Sequence, residues 1–170
     1  PEVEKVVLER RNPNSVPYIF PDSCPYCHEP LTKIQGQTYC TNEHCPSRKI
    51  NSLIFFASKQ GMDIDGLGDK IIEMLFNEKI VREVFEFYTL KDHEEELMML
   101  DGIGKKTCHS LFKAIENSKN NDLYMLISAL QIPLVGKKTA IVLANHFQNL
   151  DRLKESSFEE LSSLQDVGDI

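Results

Sequence analysis

The chain has 170 residues, enough for one ordinary domain or for two to three small ones. Its formal net charge of −7 at pH 7 argues against a generally basic nucleic-acid binder, although lysines cluster beside glycines and leave local binding open. A membrane span requires an apolar run of roughly 18 residues, and the sequence contains none. The first residues do not have the pattern of a signal peptide. We therefore expect a cytoplasmic protein with no membrane partner.

The first 21 residues are predicted to contain the end of a strand followed by a linker. The stretch from Val3 to Glu9 resembles a strand, but the neighbouring sequence contains no second strand that could pair with it. Prolines and asparagines dominate residues 12–17. At its other end the chain closes at Ile170, inside a pattern that had been completed three times before. We therefore expect a piece of a longer protein.

The next segment, residues 22–47, carries four cysteines with the spacing C-x2-C-x12-C-x4-C, namely Cys24, Cys27, Cys40 and Cys45. Each pair can chelate from one tight turn, and the connection is long enough for a hairpin that brings the pairs together. Four thiolates are the usual closed shell of a structural zinc ion, so the spacing predicts a zinc finger that needs Zn²⁺ to fold. Two disulfides are an alternative, as is a site in which His44 replaces Cys45.

From Arg48 onward the composition favours helices, and a short glycine pattern recurs. An apolar residue precedes the last glycine of each copy, and these glycines are separated by 36, 32 and 32 residues; they are Gly68, Gly104, Gly136 and Gly168. The first two copies have a further glycine two positions earlier, at Gly66 and Gly102. Apolar residues at helical spacing flank the pattern. The repeat is therefore predicted to be a helix, a tight turn and a second helix, in a mainly α fold.

Each predicted turn is suited to bind a phosphate. The second helix begins at the last glycine, where free amides and the helix dipole attract an anion. Residues that can add charge or hydrogen bonds follow at once: Lys70, Lys105, Lys106, Thr107, Lys137, Lys138 and Thr139. Because backbone amides contact phosphates and not bases, we expect sequence-independent, salt-sensitive binding.

One such turn alone is more often a structural glycine cap between two helices, whereas four copies at nearly constant spacing favour nucleic acid. The two later copies have Leu134 and Asp166 in place of the first glycine. These replacements argue for weaker binding there, since Asp166 would repel phosphate.

These segments together resemble the bacterial NAD-dependent DNA ligases. The similarity runs from about Val3 to Ile170 and is carried by CPYC…C-x4-CP, FFASKQGMDIDGLGDKIIEML, LDGIGKKTCHSLFKAIENSK and ALQIPLVGKKTA. It implies the end of an oligonucleotide-binding domain with a linker (1–21), a four-cysteine zinc finger (22–47) and a helix-hairpin-helix domain (48–170), whose fourth hairpin is truncated. It further implies a clamp on nicked double-stranded DNA, with the four cysteines as zinc ligands and the four turns as DNA contacts.

The sequence departs from that family's pattern at two points. His28 stands where similar zinc knuckles carry glycine, at a position that often needs a positive φ. The K-x-D-G motif, whose lysine takes adenylate from NAD, does not occur. We therefore expect no catalytic residue here and no nick sealing by this chain alone. The resemblance implies that the catalytic domains, with NAD and Mg²⁺, lie upstream of Pro1.

The resemblance thus implies the non-catalytic, DNA-binding part of a monomeric enzyme that seals nicks in replication and repair, in the bacterial cytosol near the nucleoid. Two other functions stay open. The chain could be a helix-hairpin-helix and zinc-ribbon module of another repair protein. It could also be a zinc-organised adaptor that binds proteins and not DNA, which would suit the charge of −7.

Overall fold

The structure is a computed structural model of the chain, and it describes residues 7–34, 36–164 and 167. Gly168, Asp166 and the first part of the expected strand, residues 3–6, therefore lie outside the described residues. The chain divides into two compact units, Pro1–Cys45 and Pro46–Ile170.

The first unit contains one β-hairpin. Strand β1 (Leu31–Ile34) pairs antiparallel with strand β2 (Gln37–Cys40), so that Leu31 lies opposite Cys40. Among the described residues of this unit, only Cys24 and Cys45 are fully shielded from solvent. The unit therefore lacks an apolar core among these residues, and its packing centres on cysteine side chains.

The prediction of a strand as far as Glu9 is wrong for the last residues of that strand. Leu8–Arg10 form a short 3-10 helix, and the Arg10 amide donates to the Val7 carbonyl over 3.2 Å. A strand needs a partner to satisfy its backbone groups, whereas this turn satisfies one locally. The residues that follow, as far as Asp22, form no helix or strand, as expected of a linker.

The second unit is helical, as predicted. Its α-helices are α1 (Pro46–Ala57), α2 (Asp69–Asn77), α3 (Glu94–Met98), α4 (Lys105–Ser118), α5 (Leu123–Ala129), α6 (Lys137–Phe147), α7 (Leu150–Lys154) and α8 (Phe158–Ser162), and a 3-10 helix spans Val84–His93. Pro46 suits the first helical position because its missing amide hydrogen would have had no partner there. Within the part of the chain that the structure describes, no helix has the length and apolarity to cross a bilayer.

A large core cluster joins α1, α2, the 3-10 helix and α4. The rings of Phe56 and Phe87 stack with their centroids 6.2 Å apart, among fully buried side chains such as Ile72. Burial of each side chain of this size contributes about 1.5–3 kcal/mol. The Asn121 side-chain amide donates to the Met62 carbonyl over 2.7 Å and so ties the end of α4 to the segment after α1.

A smaller cluster forms between α5, α6 and the segments beyond them. Its buried members are Ile127, Ala140, Leu143 and Phe147, and Val135 and Val167 pack against it. The apolar residue before the last glycine of the first two repeats, Leu67 or Ile103, belongs instead to the large cluster. The four repeats are thus anchored in two pairs, one pair on each cluster.

Candidate metal centre and nucleic-acid interface

The four predicted metal ligands converge at one point. The sulfur atoms of Cys24, Cys27, Cys40 and Cys45, here called the cysteine cluster, all lie within 4.8 Å of one another. The Sγ atoms are 3.8 Å apart between Cys24 and Cys45 and 3.6 Å apart between Cys27 and Cys40. Tetrahedral Zn–S bonds of 2.3 Å would place sulfurs about 3.8 Å apart, whereas a disulfide needs about 2.05 Å. The donor set therefore fits a metal ion, and the four cysteines are free of disulfides.

Local backbone structure sets this convergence. The His28 amide donates to the Cys24 carbonyl and the Cys24 amide to the Glu29 carbonyl, both over 2.8 Å, which folds the first pair into a tight knuckle. His28 has φ +61°, in the left-handed region expected of that position. In the second pair, Cys40 is the last residue of β2 and Cys45 directly precedes α1. His44, the alternative ligand, is exposed and lies outside the cysteine cluster.

The thiols of the cysteine cluster differ in acidity. Hydrogen bonds from the amides of Cys27 and Tyr26 lower the pKa of Cys24 to about 7. Desolvation raises the pKa of Cys40 to about 12. A dication bound among the four sulfurs would stabilise every one of them as a thiolate, and binding would release protons. Metal affinity should therefore fall as the pH is lowered.

The four glycine turns share one backbone design. In each, the residue before the last glycine donates its amide to the carbonyl three residues earlier: Leu67 to Ile64 (3.2 Å), Ile103 to Leu100 (3.2 Å), Val135 to Ile132 (3.0 Å) and Val167 to Leu164 (3.2 Å). The third residue of a type II turn needs a positive φ. This residue has φ +91° at Gly66, +76° at Gly102 and +65° at Leu134.

The sequence suggested that the missing first glycine would weaken DNA binding at the third turn, and it made no prediction about the backbone at Leu134. The structure shows the same hydrogen bond and the same left-handed residue there. Aligning IPLVG with IDGLG places Leu134 opposite Gly66, and that alignment is the signal that could have predicted the positive φ.

The last glycine of each described turn occupies the N-cap position of a helix, and glycine has no side chain that could accept hydrogen bonds from the first amides. These residues, Gly68, Gly104 and Gly136, are here called the corner glycines; they precede α2, α4 and α6, are exposed, and offer no side-chain cap to the first amides. The helices α7 and α8 begin differently, because Asn149 and Ser157 accept hydrogen bonds from amides of the first turn. The first amides after the corner glycines therefore have no side-chain acceptor and remain available to donate to an external anion.

Nothing inside the protein requires glycine at these corners. Their φ values of −77°, −101° and −83° suit any residue, and an added Cβ would meet no atom within 4 Å. Gly61 is a contrast, since a Cβ there would lie 2.4 Å from the Phe56 carbonyl oxygen. Gly61 is therefore needed for packing within the chain, whereas the corner glycines keep space free outside it.

The structure places the predicted charged residues at the same corners. The corner lysines, Lys105, Lys106, Lys137 and Lys138, are all exposed in the first turns of α4 and α6. Within the described ranges, none of them forms an ion pair with a carboxylate. Thr107 and Thr139 follow them and are half-buried.

The first corner differs from the second and third in its charge. Lys70 is exposed there, but the first residue of α2 is Asp69, whereas α4 and α6 both begin with two lysines. A carboxylate so close to the free amides would oppose an incoming phosphate. The local charge therefore favours an anion more at the second and third corners than at the first.

Comparison with known proteins first defines the class of the repeats. A family model described as "Helix-hairpin-helix motif" matches residues 125–170. This range begins in α5 and includes the third and fourth turns, so the predicted repeat type is confirmed there.

The whole chain is then similar to DNA ligases. The DNA ligase of Macrococcus caseolyticus is 40% identical over 99% of this chain, that of Clostridioides difficile 37% over 100%, and that of Bacillus pumilus 38% over 99%. The matched parts are 26%, 25% and 25% of those proteins, so the chain spans about a quarter of the length of these curated relatives. The resemblance to DNA ligases is confirmed: the chain is similar over its whole length to about a quarter of each of these proteins.

The cysteine cluster makes a testable prediction about metal content. The protein should bind a single dication per chain, and Cys45→Ser should lose it because three sulfurs cannot close the tetrahedral shell. Metal analysis of the purified variants measures this. Circular dichroism of Cys45→Ser should keep its helical signal, since the cores of the second unit contain no member of the cluster.

Cys108→Ala is the matched control, because Cys108 is buried in the large helical core and lies outside the cluster. It should retain the metal. Equal metal content in the Cys45→Ser protein and the parent would contradict a site built by these four sulfurs.

Proposed function

We propose that this chain is the non-catalytic, sequence-independent DNA-binding portion of an NAD-dependent DNA ligase, and that its turns hold nicked double-stranded DNA by the phosphate backbone. The observation that carries the proposal is the unexplained absence of a side chain at the corner glycines. Each has an ordinary backbone conformation and open space around it, yet the same residue recurs at every described turn. A partner whose surface approaches the backbone closely would account for this recurrence.

A phosphodiester is the partner that best fits the chemistry of the corners. The first amides of each of these helices have no side-chain acceptor, and the positive end of the helix dipole adds to their attraction for an anion. The corner lysines supply mobile charge beside the amides. Such contacts position a duplex and read no base, which suits an enzyme that must join nicks in any sequence.

The net charge of −7 does not oppose this function. Many acidic residues lie away from the corners, for example at Glu94–Met98, where helix α3 begins with three glutamates, although Asp65, Asp69 and Asp101 lie at the first two turns. The second and third corners carry only basic side chains in their first two helical positions. Local potential at the contacting surface decides binding to phosphate, and it falls off within about 10 Å at 0.1 M salt.

Zinc is the metal that we propose for the cysteine cluster. Four thiolates and no open position are typical of structural Zn²⁺, and the ion would supply folding energy and no reaction chemistry. Cys24, Cys27, Cys40 and Cys45 would hold it. NAD and Mg²⁺ would be bound by upstream catalytic domains of the same chain, in a monomeric enzyme of the bacterial cytosol and nucleoid.

The two alternative functions are less well supported. A module of a different repair protein is disfavoured because the relatives named above are DNA ligases over the full length of the match. A pure protein adaptor would not account for the uncapped corners or for corner lysines that form no ion pair within the described residues, although the Lys137 Nζ atom also lies 5.8 Å from the centroid of the Tyr124 ring. The DNA-binding function explains both.

Adding one methyl group at a corner tests the close approach. Gly104→Ala should fold, with a loss in the free energy of unfolding of at most about 1 kcal/mol, because the Cβ meets no atom and the preference of the N-cap position for glycine over alanine is of that order. Binding to a nicked duplex should weaken, since the methyl group would occupy space that the phosphate backbone needs. Fluorescence anisotropy with a labelled duplex and thermal unfolding measure the two effects.

Gly61→Ala provides the opposite pattern as a control. Its Cβ would overlap the Phe56 carbonyl oxygen, so the protein should lose stability, by roughly 2 kcal/mol or more. If Gly104→Ala bound the duplex as tightly as the parent, the second corner would not approach DNA.

Removing charge at the corners tests the phosphate contacts. Replacing Lys105 and Lys106, or Lys137 and Lys138, by alanine should weaken binding equally for unrelated duplexes of one length. The slope of log affinity against log salt should also become flatter by up to roughly one unit per lost phosphate contact. Titrations at several salt concentrations provide both values.

Replacing Lys91 and Lys113 by alanine removes the same charge from exposed positions outside the corners. This variant should keep most of the affinity and the full salt slope. An unchanged slope in both corner variants would place those lysines away from the DNA.

The missing adenylation motif leads to a prediction about activity. The isolated chain, supplied with NAD, Mg²⁺ and a nicked duplex, should form no sealed product, because it lacks the K-x-D-G lysine that would accept the adenylate. A gel assay for joined strands measures this. Ligation by the purified chain would show that the catalytic groups lie within these residues.

A further inference from the structure

Leu134 stands out at the third turn because its side chain is exposed and its backbone is strained. It is 74% exposed and has φ +65°, a conformation that glycine adopts freely and that leucine resists. The equivalent residues of the first two turns are Gly66 and Gly102. Neither core cluster includes Leu134, so the fold makes no use of its side chain.

The surroundings of Leu134 are apolar as well. Ile132, at the start of the same turn, is 39% exposed, and Pro133 between them is exposed. The first two turns instead carry exposed aspartates, Asp65 and Asp101, next to their glycines. The third turn therefore presents an apolar tip where the other two present an acidic residue and a bare backbone.

This apolar tip lies in the chain directly beside a phosphate site. Gly136 and the start of α6 follow Leu134 by two and three residues, so one exposed corner carries the free amides, Lys137 and Lys138, and the leucine. Along a nucleic-acid strand, the surface next to each phosphate is the largely apolar face of a sugar. A corner that binds phosphate through amides can thus bind the adjoining sugar through a hydrocarbon side chain.

We propose that Leu134, supported by Ile132, packs against a deoxyribose beside the phosphate held at the start of α6, and that it supplies salt-independent affinity for DNA. The proposal rests on the proposed function, since it requires that the third corner contacts DNA. A hydrocarbon side chain beside a phosphate contact can bury apolar surface against the sugar, and salt does not screen that contribution as it screens a charge contact. The strain at φ +65° is then retained because the side chain has a use outside the protein.

Leu134→Gly separates the contact from folding. Glycine prefers this backbone conformation, so the variant of the 170-residue chain should have an unchanged or higher melting temperature. Its affinity for a nicked duplex should fall about three- to tenfold, as expected for loss of a partly buried leucine contact. The salt slope should stay at the parent value, because no phosphate contact is lost. Leu134→Met, which keeps an apolar side chain of similar reach, should restore most of the affinity.

Gln148→Gly is the matched control. Gln148 is also exposed and left-handed, with φ +64°, but it lies at the opposite end of α6. The substitution relieves the same kind of strain and should leave DNA affinity unchanged. An equal loss in Gln148→Gly and Leu134→Gly would attribute the effect to backbone flexibility and overturn the proposal.

The alanine variant of Lys137 and Lys138 distinguishes this proposal from the function on which it rests. If Leu134→Gly bound like the parent while the lysine variant lost affinity and salt slope, the sugar contact would be wrong and the phosphate site would stand. If neither variant changed binding, the third corner would not contact DNA. The sugar contact and the phosphate site at that corner would then both be wrong.

Discussion

One backbone hydrogen bond, repeated four times, is the constraint on which the rest of the helical unit depends. In each turn the amide of a buried or half-buried apolar residue donates to the carbonyl three residues earlier. A type II turn that closes this bond needs a positive φ at its third residue, as observed at Gly66, Gly102 and Leu134, and it directs the anchor, such as Leu67 or Ile103, into a core. The corner glycine that follows each of the first three anchors is exposed, and the helix that begins there has no side-chain cap for its first amides.

Glycine serves three different purposes in this chain, and the purposes are distinguished by the space around each glycine and by its φ angle. Gly61 is needed because a Cβ would overlap a carbonyl, and Gly66 and Gly102 are needed for their positive φ. The corner glycines satisfy neither condition, so their role concerns what lies outside the protein. The same reasoning applies in reverse to Leu134, whose side chain is present where the turn itself would prefer none. Both observations support the proposal that the corners form the DNA-binding surface.

The two units rely on different sources of stability. The helical unit buries large side chains in two clusters, and hydrophobic burial can maintain it without a metal. The described part of the first unit shields two cysteines and little else, so a metal bound by four thiolates would have to supply its stability. Structural zinc provides on the order of 10–16 kcal/mol in small finger peptides, which exceeds what such a hairpin could gain by packing. Loss of metal would therefore affect one unit and spare the other.

The local features could be predicted from the sequence: the convergence of four closely spaced cysteines, the repeated turns, the helices around the first three of them, and the left-handed residue at His28. These features follow from residues a few positions apart, whose chemistry and periodicity are visible in the sequence. That the turns pair on two separate clusters emerged only from the tertiary structure. This pairing depends on which distant side chains share a core, and packing between segments far apart in the chain has no periodic signature in the sequence.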